Sequence, residues 1–545
     1  MIAARKLRST IIFLILFGAY CIIIVMLFYL QIFNSSFFLH LGKQQYTVSA
    51  TVNPPRAPIY DRNNKPVAMN AECLSAFLLP RQLEQAQRTA SFLQKNFPAA
   101  YRRLQTHHDR HFLYIKRRLA PYEIALIEKN GTDDIKIVKE PCRFYPFQTM
   151  GTLIGITDID NDGLSGLELM FNQQLKGKTT TCSLERDARS GHFYFNKILH
   201  QQGSQGTPIQ LTIDSDLQFL AYTELKDSME RFKAREGGVV IIDPTTGELI
   251  VSVSAPDFNP NSSKIPDPNT MKNFPFTQAF EAGSVIKTFA AMAALEAGVV
   301  TPDELIDCQN TKTGYVNGMK INTVHEDGVV TFSKVIEDSN NIGTVKVILR
   351  VGPKLYDYYR RFGFAQKTPI NFPGQQAGFI NHPHNWTKRS IVSLSFGYEI
   401  RVTLIQLAQA FGLIANNGRP VTLHILKNEQ PKQHKQPVFS PKVLAQMREI
   451  LTKTVLEGTA QHARIKGYTV MGKTGTANLI EHGRYNENKN VYTFAGIIEK
   501  GPYKRVIVTY INDVTIPHYH LYASNVTVPL FERVAEKMLI HDHMV

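Results

Sequence analysis

From Thr10 to Phe33 the chain runs for 24 residues without a charge, TIIFLILFGAYCIIIVMLFYLQIF, and Gln31 is its one strongly polar side chain. At about 1.5 Å per residue, a helix of that length crosses a hydrocarbon layer about 30 Å thick. A cleaved export signal has a shorter apolar stretch, about 7–15 residues, that ends in small side chains. Here Phe28, Tyr29 and Leu30 stand where cleavage needs small ones, so the segment reads as an uncleaved anchor. Arg5, Lys6 and Arg8 precede it, which by the positive-inside rule keeps residues 1–9 cytoplasmic and places everything from about residue 34 outside. No later segment approaches 18 uncharged apolar residues. An outer enzyme has no ATP, which excludes most cytosolic chemistries.

Taken whole, the 545-residue chain has an ordinary globular composition, 43% hydrophobic and 20% charged. A net charge of +15 suits an anionic surface or polymer, but the lysines and arginines are spread out, with no basic run interleaved with aromatics. No nucleic-acid partner is implied. Cys21, Cys73, Cys142, Cys182 and Cys308 have no Cys-x-x-Cys spacing, which removes a cysteine-built metal site, and they read as independent. A Cys142–Cys182 pair is conceivable only in an oxidising compartment. His107-His108, His518/His520 and His541/His543 lack partnering carboxylates at ligand spacing and read as surface residues, so no metal or cofactor is expected.

Past a short stalk, residues 45–220 read as a mixed domain with long connections and ordinary amphipathic helices. GGVVIIDPTTGELIVSVSAP (237–256) is a strand, a turn and a strand, hence a β-hairpin. Helices at 287–298, 332–350, 403–416 and 440–456 then alternate with strands at 468–478, 491–499 and 504–512. The expected unit, 230–520, is α/β (α+β): a largely antiparallel sheet flanked by helices. An amphipathic stretch at 526–540 packs back on that sheet, within a tail of 521–545.

One serine has a lysine three positions later where an apolar helix begins: Ser284 with Lys287, in FEAGSVIKTFAAMAALEAG. That spacing puts both on one helix face, where a desolvated amine can accept the hydroxyl proton. Lys-Thr-Gly occurs twice. Lys312-Thr313-Gly314 is turn-rich and reads as a loop. Lys473-Thr474-Gly475 follows an apolar strand and continues to Thr476. On a strand, Thr474 and Thr476 share a face where two hydroxyls can hold a carboxylate, and Gly475 clears room for a substrate lying alongside. Ser339-Asn340-Asn341 stands between them; alone, it would mean a turn or a helix cap.

The order decides the matter. Ser-x-x-Lys, then Ser-x-Asn 55 residues on, then Lys-Thr-Gly-Thr 134 further on, is the motif set of β-lactamases and penicillin-binding proteins. The chain resembles a class B penicillin-binding protein well beyond these motifs, in LTID (211–214), IIDPTTGEL, VTLIQLAQAFGLIANNG (402–418), RAPIYDRNNKPVA (56–68), RFYP (143–146) and GLSGLELMFNQQLKG (163–177). The likeness covers about residues 1 to 540, with Ala57, Ala282 and Leu404 departing from the usual glycine, proline and proline. It implies a serine β-lactamase-like transpeptidase domain, a pedestal of the dimerisation type, and D,D-transpeptidation of peptidoglycan stem peptides. Ser284 would be the nucleophile and Lys287 its base. Ser339 and Lys473 would relay the proton to departing D-Ala, Asn341 would hold the acyl-chain amide, and the N–H groups of Ser284 and Thr476 would form the oxyanion hole. β-Lactams would leave a stable acyl-enzyme.

Rival readings are weaker. A class A β-lactamase needs Glu-x-x-Leu-Asn between the second and third motifs, and no glutamate there has an asparagine four residues later; Glu168 to Asn172 lies upstream. A fused glycosyltransferase needs a Glu-Asp context that residues 34–235 lack. A β-lactam-binding sensor needs a cytoplasmic output larger than nine residues. SFGYEIRVT (395–403) resembles the division branch more than the elongation branch, which implies a polytopic glycosyltransferase of the shape/division family and divisome proteins as partners. Arg56, Asp61 and Arg62 are candidates for that contact, or equally for an internal salt-bridge network.

Overall fold

The computed structural model describes the backbone of residues 2–52, 54–110, 112–186, 193–262, 264, 266–430, 434, 436–481, 484–515 and 521–544, and the side chains of these except 2–5, 42–52, 182–186, 193–201, 480, 481, 487 and 488. The chain divides into two compact units, Met1–Pro55 with Lys176–Gly206, and Arg56–Leu175 with Thr207–Val545. In the first, helix α1 (Ile2–Phe28) exposes large apolar side chains such as Phe13, Leu16, Ile22 and Val25, as a lipid-facing helix does. With the π-helical turn Tyr29–Phe33 it is long and apolar enough to cross a membrane. A helix Ser35–Tyr46 leads to an antiparallel sheet in which Thr180–Arg186 lies between Thr47–Val52 and Phe193–Gln201.

In the second unit, residues 56–175 are built on the strand Pro66–Leu78, paired with Lys136–Phe144 and Leu113–Lys116. Three helices, Ala86–Asn96, Pro98–Thr106 and Pro121–Asn130, close a small core around Leu78, Leu93 and Leu113. A disulfide joins Cys73 to Cys142 across two of these strands, which corrects the expectation of independent cysteines and the alternative pairing with Cys182. The two half-cystines are 69 residues apart in sequence but on adjacent strands, a proximity that spacing does not reveal.

Arg56 and Asp61 are buried, so they belong to an internal network rather than a partner surface. Glu168, fully buried, receives Arg56 Nε on one oxygen and Arg143 Nε on the other, each at 2.6 Å. Asn172 Oδ1 takes a further N–H of Arg56 at 2.7 Å. The Glu168/Asn172 pair is thus a structural clamp. Asp61 accepts the Ser215 hydroxyl at 2.7 Å, and Arg62 reaches Glu248 at 3.2 Å, so the 56–65 segment is tied to the helix Ser215–Phe232 and to the first hairpin of the main sheet.

That sheet has five antiparallel strands: β1 (Ala234–Ile242), β2 (Leu249–Ala255), β3 (Thr469–Glu481), β4 (Arg484–Lys500) and β5 (Tyr503–Val514), in the order β2-β1-β5-β4-β3. β3, bearing Lys473-Thr474-Gly475-Thr476, is therefore an edge. On one face lie α2 (Ser215–Phe232) and α8 (Ala523–His541), where Phe531 meets Phe494 of β4 edge to face at 4.7 Å. The 526–540 stretch packs on the sheet as expected. The other face carries α3 (Lys287–Glu296) and α6 (Leu404–Ala415), with α7 (Pro441–Leu456) against β3. From Lys287 to Leu295 every residue of α3 is buried. A helix apolar on all sides must sit inside, and each large side chain such as Phe289 or Met292 contributes about 1.5–3 kcal/mol there.

The helix expected over 332–350 is two, α4 (Phe332–Glu337) and α5 (Asn341–Val351). Asn340 caps α5 by accepting the Gly343 N–H at 3.0 Å, and Ser339 takes a left-handed φ of +61°. Apolar periodicity ran through this break because the residues on both sides face one core.

Candidate active site

The 3₁₀ turn Gly283–Ile286 runs directly into α3 and sets Ser284 half-buried in the wall of a cavity of about 370 Å³. Gly283 has φ +56°, and a Cβ there would stand 2.6 Å from the Thr476 carbonyl oxygen. Only glycine lets the turn lie this close to β3. The cavity is also lined by Ser339, Asn341, Thr474 and Thr476, so residues from three distant stretches of sequence meet at one place. The break between α4 and α5 makes this possible, because it turns Ser339 and Asn341 toward α3.

Lys287 and Lys473 are fully buried. Lys287 Nζ donates to Ser339 O at 2.6 Å, Ser339 Oγ at 3.2 Å and Asn341 Oδ1 at 2.5 Å. Burial, and then the neighbouring Lys473 charge, push its pKa well below the ordinary lysine value. Once neutral, the amine keeps two N–H groups for these oxygens and gains a lone pair for a hydroxyl proton. Lys473 is pushed down to about 7 by burial, with Asp338 pulling the other way. Asn341 Nδ2 in turn donates to Asn322 O at 2.6 Å and its backbone N–H to Thr323 Oγ1 at 3.2 Å.

Thr474 and Thr476 both line the cavity, on the face of β3 that alternation requires. The Thr474 hydroxyl meets Thr459 Oγ1 at 2.9 Å, while Thr476 Oγ1 accepts the Ala523 N–H at 3.1 Å, which leaves its own proton to donate. Gly475 is required for a different reason than the one expected. Its Cβ would stand 2.3 Å from Ala282 O and 2.7 Å from Val285 Cγ2, so the small residue makes room for the Gly283–Ile286 turn. The other Lys-Thr-Gly copy is a strand, not a loop: Thr313–Val316 pairs with Met319–Asn322, whose last residue braces Asn341.

Sequence reasoning missed Phe396, Tyr398, Thr459 and Tyr522, which line the cavity together with His325, Asp338 and others. None belongs to a spacing pattern; FGY within 395–403 was noticed only as a family likeness. Of the histidines, His518 and His520 lie outside the described residues. His541 Nε2 is 3.5 Å from Asp214 Oδ1, close to Asp216. These carboxylates are already engaged: Asp214 caps α2 by accepting the N–H groups of Asp216 and Leu217, and Asp216 pairs with Lys65.

A serine, an amine that can be neutral at its side, a second depressed lysine and two hydroxyls around one cavity form an arrangement able to carry serine acyl transfer. The chain belongs to the penicillin-binding protein transpeptidase family. The penicillin binding protein transpeptidase domain matches residues 237–536, and the penicillin-binding protein dimerisation domain matches 51–211. The probable peptidoglycan D,D-transpeptidase PbpC of Pseudomonas aeruginosa is 31% identical over 518 residues, covering 93% of this chain and 90% of that one. The peptidoglycan D,D-transpeptidase FtsI of Escherichia coli strain K12 is 28% identical over 530 residues, 94% of this chain and 89% of its own. In fold, the chain matches penicillin binding protein 3 of Mycobacterium tuberculosis, solved with aztreonam, at a TM-score of 0.68 and 23% identity, over 91% of this chain and 97% of that one.

Proposed function

We propose that the protein is a membrane-anchored peptidoglycan D,D-transpeptidase working through an acyl-enzyme on Ser284. The observation that carries this is the pair of buried lysines, Lys287 and Lys473, with depressed pKa values beside the cavity that Ser284 lines. Neutral Lys287 takes the Ser284 proton as the oxygen attacks the penultimate D-Ala carbonyl. The N–H groups of Ser284 and Thr476 receive the oxyanion, each such donor contributing about 3–4 kcal/mol. Ser339 and Lys473 pass the proton to the leaving D-Ala, whose carboxylate is held by the hydroxyls of Thr474 and Thr476, and Asn341 holds the acyl-chain amide. The amine of a second stem peptide then takes the acyl group. A β-lactam follows the same first step and stays attached.

The division of the chain follows this reading: residues 1–9 inside, 10–33 across the membrane, 45–220 as pedestal, 230–520 as the catalytic domain, 521–545 as helix and tail. Arg5, Lys6 and Arg8 favour this orientation, and the Cys73–Cys142 disulfide is in keeping with an oxidising compartment outside the cytoplasm. SFGYEIRVT favours septal synthesis beside a polytopic glycosyltransferase and other divisome proteins, by surfaces other than Arg56 and Asp61.

The test is intact mass after exposure to penicillin, for the wild type and for Ser284→Ala, followed by incubation of each with stem peptides. One stable adduct and a cross-linked peptide dimer, both absent from the variant, are expected. An adduct without any dimer refutes transpeptidation, and rapid loss of the adduct with drug consumed indicates a lactamase.

A further inference from the structure

Glu281 lies three residues before Ser284 and takes no part in the chemistry above. It is 9% exposed. Its Oε1 accepts the Glu399 N–H at 2.9 Å and the Tyr485 hydroxyl at 3.3 Å, while Oε2 is buried without a hydrogen-bond partner among the described residues. Three separate pieces of chain meet at this one carboxyl: the lead into the nucleophile turn, the 396–399 loop and the β3–β4 hairpin. The loop is pressed hard against the turn. Gly397 has φ +93°, and a Cβ there would stand 2.0 Å from Gly283 O. Glu399 holds a left-handed φ of +58°, a conformation that persists only where its surroundings enforce it. Phe280 and Val402 exchange N–H···O bonds in both directions, at 3.0 and 2.9 Å.

What the loop carries is Tyr398, which lines the cavity together with Phe396. The Tyr398 ring meets that of Tyr485 edge to face at 5.0 Å, and its hydroxyl oxygen accepts the Asn478 N–H at 3.3 Å, two residues beyond Thr476.

We propose that Glu281 is a positioning residue for acylation of Ser284: its carboxyl clamps the 396–399 loop and the β3–β4 hairpin to the nucleophile turn and so sets where Tyr398 stands in the cavity wall. This rests on the reading of Ser284 as the acylated residue. Among the described residues, the other ionisable groups about Glu281 are Tyr485 from the hairpin, Tyr398 and Glu399 from the loop, Arg401 just after it, and Tyr510 of β5, which lines the same small cavity. Burial, the largest influence, raises the Glu281 pKa; Glu399 adds to the rise, while the two hydrogen bonds and Arg401 oppose it. The neutral acid leaves only a dipole on the unpartnered Oε2, whereas the carboxylate leaves charge there without solvent. Each hydrogen bond is stronger to the carboxylate, but burial outweighs both, so the assembled clamp as a whole favours protonated Glu281 and is weakened as pH rises through the raised value.

The experiment measures the second-order rate of acylation by a fluorescent penicillin across pH, on the full chain in detergent, for wild type, Glu281→Gln, Glu281→Ala and Tyr485→Phe. Glu281→Ala and Tyr485→Phe are expected to acylate about threefold to tenfold more slowly, as loss of one or two such hydrogen bonds entails. Glu281→Gln, which keeps the acceptor and cannot ionise, should stay near the wild-type rate and lose the fall at higher pH. If Glu281→Ala does not fold, Tyr485→Phe carries the test, since it removes one hydroxyl from a residue 45% exposed. A wild type that takes no label refutes the reading of Ser284 itself. A labelled wild type, with Tyr485→Phe and Glu281→Gln both matching it in rate and pH profile, overturns the clamp alone.

Discussion

Lys473→Met should make the protein more stable while abolishing its activity. Lys473 is fully buried beside a second buried amine, and its pKa falls from 10.5 to about 7. At about 1.4 kcal/mol per pKa unit, keeping the ammonium in that place costs about 5 kcal/mol. Between pH 7 and 10.5 the unfolded chain binds the proton that the folded chain has released, so wild-type stability rises with pH across that window and the full cost is present below it. Methionine keeps much of the side-chain volume and carries no charge. The variant is expected to exceed wild type by about 5 kcal/mol at and below pH 7, a margin that closes by about 1.4 kcal/mol per pH unit above it. At roughly 2 °C per kcal/mol for a large unit, that is about 10 °C in Tm at pH 7 and about 4 °C at pH 9. Thermal melts of both proteins at pH 6, 7, 8 and 9, with penicillin labelling as the activity check, read this directly. A variant that melts at or below wild type at pH 7, or a margin that does not change with pH, would refute the argument.

Other substitutions separate architecture from chemistry. Glu168→Ala strands two buried guanidinium groups and should destabilise by about 3–5 kcal/mol, read by denaturant unfolding, even though Glu168 touches no part of the Ser284 cavity. Cys142→Ser opens a cross-link spanning 69 residues and should lower stability by about 4 kcal/mol, while penicillin acylation at a temperature where the variant is folded stays at the wild-type rate. Gly475→Ala drives a methyl group into the Ala282 carbonyl; a loss of about 1–3 kcal/mol in stability is expected, with acylation falling more than tenfold because the nucleophile turn must shift. Wild-type acylation after the alanine change would mean that the turn and β3 can separate freely.

The catalytic stretch was legible wherever chemistry demands a residue type at a fixed spacing. Ser284 and Lys287 had to share a helix start, and Thr474 and Thr476 a strand face, and the fold joins them to Ser339 and Asn341. Local periodicity was blind where tertiary contacts decide. The break at Ser339 lies in a stretch whose apolar residues keep helical spacing on both sides, and only the capping power of Asn340 hinted at it. Gly475 was noticed for the right residue and the wrong neighbour, because which backbone approaches a glycine depends on a turn nearly two hundred residues earlier. The Cys73–Cys142 pair and the Arg56–Glu168–Arg143 cluster join segments that pair only once the strands of residues 56–175 are assembled. Glu281 stands within FEAGSVIK but nothing local marks its role: its partners, Glu399 and Tyr485, come from 118 and 204 residues away.

The strand order also has a consequence for how the protein comes into being. β1, among the first pieces of the catalytic unit to be made, lies between β2 and β5, and β5 ends at Val514, close to the end of the chain. A chain emerging from its N-terminus first can form the β1–β2 hairpin early, but β3 and β4 can join that hairpin only through β5. A chain cut short before β5 would carry Ser284, Lys287, Ser339, Asn341 and Lys473 and yet lack the strand that joins β3 and β4 to the β1–β2 hairpin.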